Sequence, residues 1–237
     1  MIKLNFLGVV DLYKRLSPSI KSSLIITLIL IIFCVVVAHK AKKQDPSKPP
    51  KGILLLVEWL VSWVNGMCED VLGDKAKKYS PIVLTFVMFI FASNIAGLFG
   101  LHPPTANVAI TVALGFVAAF VIHLAGIIEG GVKNWLKGFL DPSPIMLPLN
   151  IISEIVTPFS LGMRLFGNIL SGVVIMNLIY GFLGTISIDN FPIGNVIAPI
   201  ITPVFHGIFD VFFGAIQTYV FALLTIVFIS GKIPEEE

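Results

Sequence analysis

Charge is scarce in this chain. Asp, Glu, Lys and Arg make up 13% of its 237 residues, about half of the ~25% usual in soluble domains. Cysteine is scarcer still, with Cys34 in an apolar run and Cys68 beside Glu69. That excludes a disulfide framework, and neither thiol has metal-ligand spacing, so both are expected to fill packing space. Three of the four histidines are scattered: His39 at a helix end, His102 in a Pro-Pro loop, and His123, which shares no metal spacing with Glu129. Neither a Gly-rich nucleotide loop nor a Ser-His-Asp arrangement is found, so no cofactor and no nucleotide chemistry are expected of this chain. A net charge of +2 is too small to imply nucleic acid, and the Lys clusters fall between apolar runs, where a membrane accounts for them.

What the chain has instead is apolar length. Hydrophobic residues reach 56% and the mean hydropathy is +0.95, which predicts an all-α polytopic membrane protein, since only helices satisfy their backbone within a short lipid-facing run. After a leader over 1–21, the first transmembrane helix is expected over 22–38. A hydrophilic linker spans 39–51, and an amphipathic segment over 52–78 mixes Leu54, Trp59 and Trp63 with Glu58, Glu69 and Asp70, which suits an interfacial helix. A transmembrane hairpin follows over 79–128, then a cytoplasmic loop over 129–144.

From 145 to 188 only Glu154 and Arg164 are charged, and from 193 to 230 only Asp210. As straight helices these runs would be roughly 66 Å and 57 Å long, about twice the ~30 Å hydrocarbon thickness. Turn chemistry around Arg164 is weak, with single glycines at Gly162 and Gly167, whereas Asp189, Asn190 and Pro192 supply a turn between the runs. The segment 145–232 is therefore read as one hairpin of two long, tilted helices, with Pro148 and Pro158 as kink candidates and an acidic tail over 233–237. The total is about five crossings plus the interfacial helix. The lysines of 39–51, 75–78 and 133–137 put those loops in the cytoplasm, so the N-terminus is expected outside and the tail inside; Lys3, Lys14, Arg15 and Lys21 of the leader count against this. The first run has a signal-peptide look, but its leader is long, contains Asp11 and is followed by a basic stop-transfer flank, so a retained helix is expected.

Arg164 is the one Lys or Arg between Lys137 and Lys232. A guanidinium at the centre of a membrane helix costs about 2.5 to 3.5 kcal/mol on insertion scales, so it calls for a task. Ser160, Arg164, Gly167, Asn168, Ser171 and Gly172 share one small, polar helical face, which something is expected to approach closely. The other long helix carries a stripe of His206, Asp210, Phe213, Gly214 and Gln217. Asp210 is expected either to pair with Arg164 or to line a polar path. Glu154, ten residues before Arg164 and roughly 15 Å away along a helix, marks a second path. Arginine keeps its proton at physiological pH and cannot relay it; between two half-channels it would favour ionisation of a passing carboxylate and block direct leak.

The segment Ser-Leu-Gly-Met-Arg-Leu-Phe-Gly-Asn at 160–168 resembles the signature of subunit a of the F-type ATP synthase. Ser-Asn-Ile-Ala-Gly-Leu-Phe-Gly at 93–100, Pro-Thr-Ala-Asn at 104–107 and Gln-Thr-Tyr-Val-Phe-Ala-Leu-Leu-Thr-Ile-Val at 217–227 extend it to roughly 53–232. The resemblance implies a noncatalytic stator in which Arg164 faces the carboxylate of the rotating c-ring, Asn168 is its neighbour and Gln217 stands near it. Glu154 and Ser160 match positions of a cytoplasmic half-channel, and Asn94 a position on the outer route. The c-ring, peripheral-stalk b subunits and the bilayer are the implied partners, a proton or sodium ion the cargo, and a bacterial plasma membrane, in preference to an organelle inner membrane, the location. The match departs from the family where many members carry Glu five residues after the Asn: here stands Val173. Where many carry His, seven residues before the Gln, stands Asp210, with His206 a turn earlier. An acidic relay would thus sit on the opposite helix. The competing readings are a self-contained ion channel or secondary transporter, against which no second copy of the Arg164 segment is found, and a membrane scaffold, which has no use for two offset acidic paths.

Overall fold

In a computed structural model, residues 16–44, 49–140, 143–186 and 193–233 are described, and within them every regular element is helical. Helix α1 (Pro18–Lys43) starts at Ser17, whose hydroxyl accepts from the Ile20 amide, and ends on Lys40, Lys42 and Lys43, cations that suit the negative end of the helix dipole. It buries only Ser19, Ser22 and Ile26. Helix α2 (Ile53–Leu72) ends at Gly73, which takes φ +56°, and a short 3₁₀ turn leads into α3 (Ala76–Ile95). The positive φ lets the chain reverse, so that α2 lies back along α3. Val64, Met67, Cys68 and Leu72 of α2 are buried in one cluster with Ala76, Tyr79, Val83 and Val87 of α3, and the Ser80 hydroxyl donates to Asn65.

Helix α4 (Val108–Gly138) is capped by the Asn107 side chain, which accepts from the Ala109 amide at 2.9 Å. It is kinked at Gly131, where φ is +73° and ψ 157°, a conformation essentially confined to glycine that costs other residues about 1–3 kcal/mol. Helix α5 (Leu147–Thr185) runs for 39 residues without interruption, carrying Pro158 inside it. Antiparallel to it runs a second long helical path: α6 (Ile193–His206), a π-helical stretch Gly207–Phe212, and α7 (Phe213–Ser230). These two paths are the long hairpin expected over 145–232; its turn at Asp189, Asn190 and Pro192 lies outside the described residues, as do most of the leader and the acidic tail.

Among the described residues, five stretches are long and apolar enough to cross a membrane, and large hydrophobic side chains face outward, as with Ile145 at 86%, Ile200 at 72% and Phe182 at 68% exposure. Such surface is at home in lipid, where helices associate through close packing and not by escape from water. The closest approach is between α4 and α5. A Cβ built on Gly115 would stand 2.1 Å from the Pro158 carbonyl oxygen, and one on Gly162 2.7 Å from the Thr111 carbonyl oxygen. The proline and glycine noted as break or kink candidates thus serve as the contact point between two helices.

Candidate functional site

The register of the hairpin follows from three contacts. Asn168 donates from Nδ2 to the Phe213 carbonyl at 3.2 Å, Gly172 faces Phe209, and Leu161 and Leu165 share a buried cluster with Phe221. Arg164 therefore lies level with Gln217. Arg164 is exposed, and among the described residues its guanidinium has no ion-pair or hydrogen-bond partner. Gln217 is 8% exposed and its buried Nε2 has no partner.

The polar face expected around Arg164 is divided by the fold. Ser160, Arg164, Gly167 and Ser171 remain exposed, and a Cβ on Gly167 would meet nothing within 4 Å. Asn168 and Gly172 turn instead toward the other half of the hairpin. One strip of α5 is thus left open while the adjacent strip holds the hairpin together.

Asp210 does not pair with Arg164. Its Oδ2 lies 2.7 Å from His206 Nδ1, and His206 Nε2 lies 2.9 Å from the Tyr180 hydroxyl on α5. The carboxylate also faces the turn after α3, where a Cβ on Gly97 would stand 3.7 Å from Asp210 Oδ2. A π-helical stretch adds a residue to the turn, so the stripe drawn at α-helical spacing does not run straight. His206 and Asp210 stay half-exposed, whereas Gly214 and Gln217 are buried. Gly214 packs against Asn94, which donates to the Gly214 carbonyl at 3.1 Å and accepts from the Thr105 hydroxyl at 3.0 Å. Asn94 is 1% exposed and ties α3 to the start of α7.

Glu154 sits in a second cluster. One carboxylate oxygen is bonded by Lys232, just beyond α7, and the other lies 3.4 Å from His123 Nε2 on α4. Trp135 donates to His123 Nδ1 at 3.3 Å. From the register, Asp210 is about 10 Å beyond Arg164 along the hairpin and Glu154 about 15 Å before it. Sequence reasoning singled out Glu154, Asp210 and His206 but not Tyr180, Lys232 or Trp135. A tyrosine in an apolar run and a lysine at a helix end carry no pattern of their own; the one available signal was that each can hydrogen-bond a residue already marked.

A polytopic all-α protein with an unpaired guanidinium on the open side of a long hairpin, and a carboxylate cluster on either side of it, is the class these features define. The family described as ATP synthase A chain matches residues 21–230, and the chain belongs to that family. The ATP synthase subunit a of Oceanobacillus iheyensis is 34% identical over 222 residues, covering 90% of this chain and 88% of that protein. That of Mycoplasma genitalium is 36% identical over 235 residues, 90% of this chain and 79% of its own. That of Streptococcus agalactiae serotype III is 33% identical over 223 residues, 90% and 91% respectively.

Proposed function

We propose that this chain is the ion-conducting stator subunit of a rotary ATP synthase in a bacterial plasma membrane, with its exposed α5 strip facing a ring of rotor helices. The observation that carries this reading is the unpartnered, exposed guanidinium of Arg164, level with a buried amide and flanked along the hairpin by two acidic clusters. A charge left unpaired at membrane depth is costly unless a partner supplies the countercharge. A rotor carboxylate passing the open strip would supply it.

Loading and unloading then occur at different places. On the outer side, His206 and Asp210 pass the ion inward toward the rotor, and Asn94 holds α3 against α7 beside that route. On the inner side, Ser160 and Glu154 accept what the rotor carboxylate releases as it meets Arg164. The guanidinium favours the ionised carboxylate and repels a cation, so ions cannot run directly between the two paths and must travel with the rotor. Asn168 ties the hairpin at the separation that leaves the strip open, and Gln217 stands level with Arg164 beside it. ATP chemistry belongs to other subunits, and peripheral-stalk helices hold this one still.

The test is a pair of substitutions in the assembled complex. Arg164→Ala removes the charge and should abolish gradient-driven ATP synthesis, to below about a hundredth of the wild-type rate for the loss of an electrostatic element at the centre of the path. Cysteines placed at Ser160, Gly167 and Ser171 should cross-link to a rotor helix. Synthesis at the wild-type rate in Arg164→Ala, or no cross-link at any of the three, would reject the facing surface.

A further inference from the structure

A polar cavity of about 460 Å³ lies at the Lys-rich end of the helices, lined by Gly126, Asn134, Trp135, Lys137, Gly231 and Lys232 among others, with room for several waters. Two of these lead to Glu154: Lys232 bonds its carboxylate, and Trp135 bonds His123 beside it. Lys232 reaches the carboxylate by passing over Gly126, where a Cβ would come 3.0 Å from Lys232 Cβ and 3.3 Å from Trp135 Cδ1. Its ammonium also lies 5.6 Å from the centre of the Phe139 ring.

Trp135 is twelve residues from His123 in sequence, about 18 Å along a straight helix, yet its indole nitrogen lies 3.3 Å from His123 Nδ1. The kink at Gly131 makes that contact. An indole N–H only donates, so Nδ1 accepts and Nε2 of the neutral ring carries the hydrogen, directed at Glu154. Glu154 is thus bonded by Lys232, just beyond α7, and faced by His123 of α4, with Gly126 and Gly131 of α4 setting the approach of Lys232 and Trp135.

We propose that Lys232 is the latch of the inner path, keeping Glu154 closed off from the cavity until that carboxylate is protonated. This rests on the reading of Glu154 given above. Glu154 takes the proton released from the rotor carboxylate and becomes neutral, and its attraction for the ammonium disappears. Lys232 keeps its own protons and swings toward the cavity. Glu154 gives its proton to water there, and the recovered carboxylate draws Lys232 back. His123, held in one tautomer by Trp135, orients the carboxylate and carries no proton. Lys232 and His123 are positioning residues, acting through Glu154.

The experiment measures gradient-driven ATP synthesis in vesicles holding the whole complex, normalised to assembled complex. Lys232→Gln should lower the rate about tenfold, about 1.4 kcal/mol and so between the scales of an exposed and a buried ion pair, and Lys232→Arg should restore it to within about twofold of wild type. In a Glu154→Gln background, Lys232→Gln should add nothing, because both changes remove the same pair. Trp135→Phe, which removes the hydrogen bond to His123 and leaves Lys232 in place, should give a smaller loss that also vanishes in that background. Additive losses, failure of Lys232→Arg to restore the rate, or wild-type rates in both Lys232→Gln and Trp135→Phe would overturn the latch. A silent Glu154→Gln would instead overturn the assignment of Glu154 to the path, and the latch with it.

Discussion

Asp210 gives one carboxylate oxygen to His206, which holds Tyr180 through its other ring nitrogen, so this cluster is a chain of three polar groups linking both halves of the hairpin. Asp210→Asn keeps the shape but removes the base, and should slow ion uptake from the outer side by about a hundredfold, the lower end for a positioned acid-base group. The measurement is synthesis driven by a gradient imposed across vesicles; an unchanged rate would remove Asp210 from the path. At this scale much of the site was legible in the sequence, because Arg164, Glu154 and Asp210 are charges in apolar text and such charges stand out. Tyr180 and Lys232 were not, because each is ordinary where it sits in the chain and acquires a role only from a neighbour on another helix.

Among the elements, the crossing of α4 and α5 depends on two missing side chains, Gly115 and Gly162. Gly162→Ala would place a methyl group 2.7 Å from backbone atoms of Thr111 and Val112, so no rotamer change can relieve it and the helices must part. A loss of about 1–3 kcal/mol, the range for overpacking, is expected, read as a lower unfolding midpoint in detergent; a midpoint equal to wild type would mean that the crossing has room for a methyl group. Length alone pointed to the two long helices, with no strong turn signal around Arg164 to break the first of them. The kink at Gly131 and the π-helical stretch at 207–212 were not legible, because a single glycine or an extra residue in a turn is selected by what packs against it. That stretch decides which part of the polar stripe is buried: it leaves His206 and Asp210 half-exposed and seals Gln217 inside.

For the molecule as a whole, the proposed path is incomplete without a neighbour against the open strip on α5. The purified chain in liposomes should therefore pass ions at no more than a small fraction of the rate of the assembled membrane sector, whereas a channel or secondary transporter would conduct alone; ion flux through the isolated chain at the assembled rate would favour that reading. Hydropathy by itself determined that the protein is a multi-crossing helical membrane protein with one misplaced cation, because the bilayer leaves helices as the only way for these runs to satisfy their backbone. The tertiary structure alone decided which carboxylate each partner holds and which strip of α5 stays open. Glu154 meets Lys232 across 78 residues of sequence, and such pairings depend on where helices cross, which local spacing does not encode.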